Sequence, residues 1–299
     1  MAEKIKSSPI PVIPLGSTCV DLSGWGKELL AGHRLSVLPG IDVGISALSK
    51  ALRWLENRGK AGIGDASAAA VVPAAIPARA AAVGGPWSEA EARELLTSAG
   101  VPVVPGGLAK SAGEAVAIAR EVGLPVALKI CSPQITHKSD IGGVALGLSS
   151  EAEVRAAYAK VSDAGAAVPD AAVDGVLVTP MRGGGVELLA GVTVDPTFGP
   201  VLAVGVGGVW VEVLKDTSLR VLPVDAGEAG RMLGELRGSA LLRGARGSKP
   251  ANLGAVAEAI TAIGRTALSL GGALRALEVN PLWVNGDQVE ALDVLVVTA

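Results

Sequence analysis

Three Ser-x-x-Glu patterns between residues 88 and 153 restrict the fold of this chain more than any other feature of its sequence. They are Ser88 with Glu91, Ser111 with Glu114, and Ser150 with Glu153. Each predicts a capping box, in which the two side chains bond free backbone amides in the first turn of a helix. Apolar residues at helical spacing follow each pattern, and short apolar runs separate them at 101–104, 126–130 and 144–148. Helices that alternate with short strands predict a small α/β lobe.

The composition agrees with alternating helices and strands and argues against several other classes. The 299 residues include 40 glycines and 18 prolines, which is too many for an all-helical bundle. The net charge of −3 lacks the basic excess of a nucleic-acid-binding protein. We see no signal peptide and no run of about eighteen apolar residues, and we expect a soluble cytoplasmic protein without membrane contact. Cys19 and Cys131 have no CxxC context and are expected to be reduced.

The first 58 residues predict two βα units. The apolar runs lie at 10–15 and 35–38, and the helical segments at 21–30 and 45–55. Two such units are too small to form a stable doubly wound sheet alone, so we expect further strands to complete this segment. Residues 59–86 are rich in alanine, glycine and proline and nearly uncharged, which predicts a linker.

From residue 175 onward the chain is richer in strands. Predicted strands lie at 176–178, 186–194, 201–206, 209–214 and 219–224, predicted helices at 227–236 and 253–268, and a closing hairpin at 274–297. The sequence therefore predicts a small lobe over 87–174 and a second lobe over 175–299. Within the small lobe, Pro102 suggests that the run at 101–104 is an edge strand or a strand start.

The closing hairpin brings three oxygen-bearing side chains together. An Asn-Gly pair between alternating apolar runs is a strong signal for a two-residue turn. With Asn285 and Gly286 as the loop, Glu278 lies opposite Asp293, and Asn280 lies on the same face. Moving the loop by one position instead places Asn280 opposite Asp293 and keeps all three side chains on that face.

These side chains have the chemistry of a metal site. Two carboxylates that lie close together repel each other unless a cation is bound. Oxygen ligands that leave positions for water and phosphate suit Mg²⁺ or Mn²⁺. The sequence therefore predicts a metal site at Glu278, Asn280 and Asp293. The alternative, which the residues alone leave open, is a solvated sheet face with outward-pointing carboxylates.

Two further segments carry residues suited to phosphate binding. Lys129 lies near the end of the apolar strand PVALKI, where it is either a charge held for a phosphate or a solvated side chain. In the following segment, HKSDIGGVALGL, Gly142 and Gly143 would let backbone amides approach a ligand. The later glycines match neither GxxxxGK[ST] nor a complete GxGxxG, so P-loop and Rossmann sites are excluded, and no GxSxG nucleophile motif is present.

Taken in order, the segments resemble the ATP-grasp part of the NDP-forming acyl-CoA synthetases, the acetate–CoA ligase (ADP-forming) type related to succinyl-CoA synthetase. The matching stretches are PVALKICSPQITHKSDIGGV, GVLVTPMRGGGVELLAGVTVDPTFGPV, GVGGVWVEVLKDTSLRVLP, LLRGARGSKP and EVNPLWVNGDQVEALD. Residues 9–58 are similar to the tail of the flavodoxin-like ligase domain that precedes the ATP-grasp part in fused members. The resemblance implies an α/β (α+β) fold: a two-lobed ATP-grasp domain over 87–299, preceded by a partial flavodoxin-like segment over 1–58.

The resemblance also implies roles for individual residues. Lys129 would contact nucleotide phosphate, and Glu187 would be a carboxylate of the nucleotide site. The hinge beside adenine would consist of Thr179, Pro180 and Met181. The phosphate cleft would be lined by Arg220, Gly205, Gly207 and Gly208, with Arg220 neutralising charge during phosphoryl transfer. The metal positions of the family match Glu278, Asn280 and Asp293.

His137 matches a histidine that, in this family, relays phosphate between the nucleotide and the partner domain. The chain would then bind ATP with Mg²⁺ (or Mn²⁺), release ADP and couple acid, CoA and ATP to acyl-CoA, ADP and phosphate. A structural or merely exposed histidine is the alternative that stays open.

The resemblance covers only part of a fused synthetase. Fused members also carry a CoA-binding domain, a domain with the principal phosphohistidine and a complete second flavodoxin-like domain. We therefore expect an α-type partner that binds CoA and the carboxylic acid, in a hetero- or homo-oligomer. Two other functions stay open: a ligase that joins a carboxylate to an amine, which would release ADP without CoA, and a nucleotide-binding subunit without turnover.

Overall fold

The computed structural model describes residue 5 and residues 7–9, 12–16, 22–38, 40–58, 84–208, 216–245 and 249–299. The chain divides into two units, Met1–Gly62 and Ile63–Ala299. The first unit contains the helices α1 (Gly24–Gly32) and α2 (Ile41–Arg58) and a parallel bridge between Leu15 and Leu38. These features follow the predicted order of apolar runs and helices. The flavodoxin-like identity of this segment stays a prediction, and residues 10, 11, 21 and 59–83 lie outside the described residues.

The second unit carries eleven described strands and most of the described helices. Its elements, in chain order, are β1 (Gly85–Pro86), α3 (Glu89–Ser98), β2 (Gly107–Ala109), α4 (Ala112–Val122), β3 (Val126–Cys131), a 3₁₀ helix (Lys138–Ile141), β4 (Val144–Leu148), α5 (Glu151–Ala166), β5 (Gly175–Pro180), β6 (Val186–Asp195), β7 (Gly199–Val206), β8 (Thr217–Val221), α6 (Ala226–Glu235), α7 (Ser239–Leu242), α8 (Leu253–Ser269), a second 3₁₀ helix (Gly271–Ala273), β9 (Leu274–Asn285), β10 (Gln288–Ala291) and β11 (Val294–Thr298). Each Ser-x-x-Glu pattern precedes a helix: α3, α4 and α5 follow Ser88, Ser111 and Ser150. In α4 and α5 the serine accepts from the glutamate amide as predicted, but the Glu114 and Glu153 carboxylates accept from the amides of Lys110 and Ser149, one residue before each capping serine.

The strands form two antiparallel sheets. The four-stranded sheet has the order β2-β5-β3-β4, and α4 and α5 pack on one of its faces. The seven-stranded sheet has the order β1-β11-β9-β6-β7-β8, with β10 also paired to β9. Its core face is covered by α3, α6 and α8, whose apolar side chains share one buried cluster with those of the sheet. The mixed helix and strand content agrees with the predicted fold class.

The boundary between the two lobes differs from the one predicted. β5 was predicted to begin the second lobe, but it pairs with β3 and β2 in the four-stranded sheet because Val176 and Val178 pack against the core of that sheet. α3 was predicted in the small lobe, but Leu95 and Leu96 are buried in the core of the seven-stranded sheet. Long-range packing, which periodicity does not reveal, decides both placements.

The run at 101–104 is not a strand. It makes one isolated parallel bridge, between Val103 and Ala291, and the Ala291 amide donates to the Pro102 carbonyl at 2.9 Å. Pro102 has no amide proton to continue a ladder, so pairing ends after one bridge. The predicted strand at 209–214 lies entirely outside the described residues.

The closing hairpin has the second of the two predicted registers. Asn285 pairs with Gln288, so the two-residue loop is Gly286–Asp287, and Gly286 has a φ of 61°. Val279 pairs with Val294, which places Asn280 opposite Asp293, and the Asn280 amide donates to the Asp293 carbonyl at 3.2 Å. The register with Asn285–Gly286 as the loop is wrong, because the glycine, which tolerates positive φ, takes the first loop position.

Across the described part of the chain, no helix is both long enough and apolar enough to span a bilayer.

Two helical glycines give opposite predictions for the same substitution. A Cβ at Gly165 in α5 would lie 2.6 Å from Cδ1 and 2.7 Å from Cγ1 of the fully buried Ile130, whereas a Cβ at Gly230 in α6 would meet nothing within 4 Å. We expect Gly165→Ala to lower the free energy of unfolding by about 1–3 kcal/mol through overpacking. Gly230→Ala should raise it by about 0.5–1 kcal/mol through helix propensity. Urea denaturation measures both, and stabilisation by Gly165→Ala would contradict the packing of α5 on β3.

Candidate active site

Two sheet faces, one from each sheet, carry the polar residues of the site. On β3, Val126, Leu128 and Ile130 point into the core under α4 and α5, so Ala127 and Lys129 point to the other face. On β9, Leu277 and Val279 point into the core under α8, so Glu278 points to the other face. Because side chains alternate along each strand, each sheet has one face that packs on its helices and one face that does not. Polar residues lie on the second face of both sheets.

Four charged side chains join these faces. Lys129 Nζ lies 3.2 Å from Glu89 Oε1 and 3.2 Å from Asp293 Oδ2, and it donates to the Leu292 carbonyl at 3.0 Å. Lys138 Nζ lies 2.5 Å from Glu89 Oε2 and 3.6 Å from Asp293 Oδ1. Two lysines from the four-stranded side thus share two carboxylates from the seven-stranded side. We call these four residues the lysine–carboxylate cluster.

The cluster is largely withdrawn from solvent. The side chain of Glu89 is 1% exposed, those of Lys129 and Lys138 are 13% and 14% exposed, and that of Asp293 is 37% exposed. Glu89 is the first residue of α3, where the positive end of the helix dipole favours a carboxylate. Buried charges persist only when they are paired, and each member of the cluster contacts both opposite charges.

The pairing alters the pKa of two members. Burial opposes ionisation of Asp293, but the charge of Lys129, followed by that of Lys138, outweighs burial and holds the Asp293 pKa below its usual range. Burial likewise opposes the charged form of Lys138, but Glu89 and then Asp293 raise its pKa. Each group is therefore in its charged form at neutral pH.

The three predicted metal ligands lie together beside this cluster. Asn280 Nδ2 donates to Glu278 Oε1 at 3.2 Å, and Asp293 lies opposite Asn280 on the hairpin. All three, with Lys138 and Glu89, line a cavity of about 160 Å³. The predicted convergence on one face is confirmed, because the hairpin register places the three side chains there.

The donor set fits a hard divalent cation. Among the described residues, no three carboxylate, histidine or cysteine side chains gather in a metal-binding cluster. A cation here would therefore use the two carboxylates and the Asn280 oxygen and would complete its shell with external oxygens. Oxygen-only ligands with open positions suit Mg²⁺ better than a transition metal.

The predicted hinge residues lie where the chain leaves the four-stranded sheet. Thr179 pairs with Ala127, Pro180 pairs with Val126, and the Met181 amide donates to the Pro125 carbonyl at 2.8 Å. Thr179 is on the same strand face as Leu177, which pairs with Lys129. The hinge segment and Lys129 therefore share one face, as a nucleotide-binding cleft requires.

Glu187 and the predicted glycines lie on and beside β6. Glu187 is exposed and pairs with Trp283, and its carbonyl accepts from the Gly207 amide at 2.7 Å. A Cβ on Gly207 would lie 2.8 Å from the Leu188 backbone, and one on Gly208 would lie 2.6 Å from Glu187 Oε2. Gly207 is therefore required for close approach of the backbone, whereas Gly208 is favoured by its φ of 68°.

Arg220 is not brought to the cluster. Its pairing partner Leu202 continues the row to Val192 and Leu277, which are buried on the core face, so Arg220 lies on the face opposite Glu278. There its guanidinium bonds Glu228 at 2.5 Å and Glu235 at 2.6 Å. The expectation that Arg220 lines the phosphate cleft is therefore not supported, because strand alternation directs its side chain to the α6 side.

His137 is exposed and lies immediately before the 3₁₀ helix. Its neighbour Lys138 belongs to the cluster, so the histidine lies one residue from the candidate site. Gly142 adopts φ 75° and ends this short helix, and the Gly143 amide and carbonyl bond Lys138 and Ile130 at 2.8 and 2.7 Å. Gly142 and Gly143 thus close the loop onto β3 with their backbone, in place of the predicted approach to a ligand.

Glu89 is not among the site residues predicted from the sequence. Its position directly after the capping serine suggested only a helix start, because acidic residues are common in a first turn. The signal that was available is the buried neighbourhood of α3, where Leu95 and Leu96 lie on an apolar face. The carboxylate is recognised as part of the site only from its contacts with the two lysines, which lie far along the chain.

Several known proteins are similar to this chain. The ATP-grasp domain family matches residues 81–298. The β subunit of acetate–CoA ligase [ADP-forming] I from Pyrococcus furiosus is 39% identical over 216 residues, which are 72% of this chain and 93% of that protein. A trans-feruloyl-CoA synthase from an unknown prokaryotic organism is 36% identical over 272 residues, 90% of this chain but only 38% of that protein.

Solved structures are also similar. One is the dinucleotide-forming acetyl-coenzyme A synthetase 1 of Ca. Korarchaeum cryptofilum with coenzyme A and Mg-AMPPCP, its phosphohistidine segment pointing towards the nucleotide binding site. It is 36% identical, with a TM-score of 0.61, and the match covers 71% of this chain and 93% of that chain.

The placement of Arg220 predicts an energetic coupling on the face away from the cluster. Arg220→Met and Glu235→Gln should each lower the free energy of unfolding by about 1–2 kcal/mol, because each removes a charge-assisted hydrogen bond at a partly exposed pair. The double variant should lose less than the sum of the two, by about 0.5–1 kcal/mol. Urea denaturation of the four proteins measures this coupling. Strictly additive losses would contradict the ion pair.

Proposed function

This chain belongs to the ATP-grasp family, and we propose that it is the nucleotide-binding part of an ADP-forming acyl-CoA synthetase. In this proposal it binds ATP together with Mg²⁺ or Mn²⁺ and transfers the terminal phosphoryl group. An α-type partner subunit supplies the binding sites for CoA and the carboxylic acid. The coupled reaction converts acid, CoA and ATP into acyl-CoA, ADP and phosphate. The name of the Pyrococcus furiosus relative, a β subunit, supports a partner of this kind.

The observation that carries the proposal is the 3.2 Å contact between Lys129 and Asp293. A nucleotide site of this type needs a cation for phosphate oxygens and oxygen ligands for a metal at one point. Lys129 comes from the four-stranded sheet, and Asp293 lies beside Asn280 and Glu278 on the seven-stranded sheet. The contact between Lys129 and Asp293 therefore brings a cation and the oxygen ligands together between the sheets.

Different residues would contribute to different parts of phosphoryl transfer. A metal held by Glu278, Asn280 and Asp293 would neutralise charge on the phosphate oxygens. Lys129 would bind a phosphate oxygen, and Thr179, Pro180 and Met181 would border the adenine. Because the buried carboxylate of Glu89 already holds both lysines, they need little reorganisation when charge develops.

In the proposal His137 accepts the phosphoryl group. A nitrogen of the neutral imidazole attacks the γ-phosphorus, a P–N bond forms, and the bond to the β–γ bridging oxygen breaks. ADP leaves with the electron pair of that bond, and the proton on the other ring nitrogen passes to solvent. The exposed position of His137 suits a group that must hand its phosphoryl group to a partner.

The first test concerns the metal carboxylate. Asp293→Asn keeps the volume and removes the charge, so we expect affinity for ATP with Mg²⁺ to fall at least about tenfold. Affinity for ATP without Mg²⁺ should not fall, since the amide no longer competes with phosphate for the lysines. Titration calorimetry measures both. Asp163→Asn, on the exposed side of α5, is the matched control. Equal Mg-ATP affinity in Asp293→Asn and the parent would remove Asp293 from the site.

The second test concerns the relay. His137→Ala, mixed with the CoA-binding partner, should lose acyl-CoA synthesis to background while its ATP affinity stays within about twofold, because the imidazole is a nucleophile and not a binding group. The parent, given γ-labelled ATP, should carry an acid-labile, base-stable label that His137→Ala lacks. His33→Ala removes the other histidine of the chain and should retain both activities. Full turnover by His137→Ala would reject the relay.

A further inference from the structure

We propose that Lys138 is a second phosphate-binding cation of the nucleotide site and that Glu89 is the positioning residue that holds Lys138 and Lys129 as a pair. The inference deepens the proposed function and rests on it. Glu89 has no role predicted from the sequence, and Arg220, which was expected to be the second cation of the phosphate cleft, lies on the opposite face of its sheet.

The first step is the geometry of Glu89. Each of its two carboxylate oxygens bonds one lysine, Oε1 to Lys129 at 3.2 Å and Oε2 to Lys138 at 2.5 Å. The carboxylate is almost fully buried, so water cannot replace either lysine. Each flexible lysine is therefore held at its tip, which removes the rotamer freedom that normally weakens binding by lysine.

The second step is the difference between the two carboxylates of the cluster. Glu89 is 1% exposed and bonds a lysine with each of its two oxygens, whereas Asp293 is 37% exposed and lies opposite Asn280 on the hairpin. Asp293 can therefore exchange its lysine contacts for a metal, but Glu89 cannot. When Asp293 turns to a metal, each lysine loses one acceptor and keeps Glu89.

The third step is the position of Lys138. It lines the 160 Å³ cavity together with Glu278, Asn280 and Asp293. Its amino group can donate three hydrogen bonds. With Glu89 retained and Asp293 given up, donors of Lys138 are directed at the cavity that holds the metal oxygens. A phosphate bound to that metal would meet Lys138 there.

The charge count supports exchange of partners. The cluster holds two lysines and two carboxylates, so it is balanced while Asp293 pairs with the lysines. Withdrawal of Asp293 leaves an excess positive charge in a poorly solvated place, where an anionic phosphate oxygen is bound more strongly than in water. Glu89 keeps this excess to one charge, which a phosphate can match.

The experiment compares AMP, ADP and ATP, each with Mg²⁺, by titration calorimetry on the full chain. Lys138→Met and Glu89→Gln should each lower the affinity for ATP at least about tenfold, because charge-assisted hydrogen bonds to phosphate are lost. Affinity for AMP should change less than about twofold. Lys138→Arg, which keeps the cation, should recover most of the ATP affinity. Lys160→Met and Glu121→Gln, both at exposed positions, are the matched controls.

A double variant tests whether Glu89 acts through Lys138. Glu89→Gln should cost less ATP affinity in the Lys138→Met background than in the parent, because one of the two lysines it holds is already gone. This variant also loses one charge of each sign, so it preserves the charge balance if Glu89→Gln alone does not fold.

Three results would overturn the inference. One is an equal loss of AMP and ATP affinity, which would indicate a general structural role. Another is unchanged ATP affinity in both single variants while the parent binds ATP with Mg²⁺, which would leave the proposed function intact. The third is a parent chain that binds no nucleotide at all, which would overturn the proposed function as well.

Discussion

The carboxylate of Glu89 accepts Lys129 on one oxygen and Lys138 on the other, and this pairing connects the two sheets at the site. A buried carboxylate without partners would cost several kcal/mol, and so would either lysine if it were left alone in the same place. Each lysine of the cluster therefore needs at least one carboxylate partner, and the buried Glu89 needs at least one lysine. The site therefore exists only where the two sheets meet, because Glu89 and Asp293 come from one side and Lys129 and Lys138 from the other.

Signals that act over a few residues predicted the local structure well. The three Ser-x-x-Glu patterns precede α3, α4 and α5, and the Asn-Gly pair marks the closing turn. The same hairpin shows what such local signals do not determine. An Asn-Gly pair allows two loop positions, and both place Glu278, Asn280 and Asp293 on one face. The shared face of these three side chains was therefore predictable from the strand period alone, whereas the register of the hairpin needed the structure.

Features that depend on distant pairing could not be predicted. β5 has the apolar pattern of either sheet, and only its partner β3 decides its place. Arg220 follows a glycine-rich segment that suggests a phosphate site, yet the row through Leu202, Val192 and Leu277 directs it to the opposite face. Glu89 is an ordinary first-turn glutamate until Lys129 and Lys138 are seen beside it. In each case the sequence contains the residue, but its surroundings come from elements far along the chain.

The two halves of the site are made by different contacts, and the difference explains why the cluster needs two unlike carboxylates. The half proposed to hold the metal lies within one hairpin, so its oxygens are assembled as soon as β9 and β11 pair. The lysine half lies on the other sheet and reaches Asp293 only across the gap between the sheets. Asp293 belongs to both halves, and in the proposed reaction it passes from the lysines to the metal.

If Asp293 were the sole link, binding a metal would break the contact between the sheets. Glu89 keeps that contact, and a phosphate between metal and lysines replaces the link that Asp293 gives up. One carboxylate must therefore be exchangeable and the other permanent, and the exposed fractions of 37% and 1% divide them in this way.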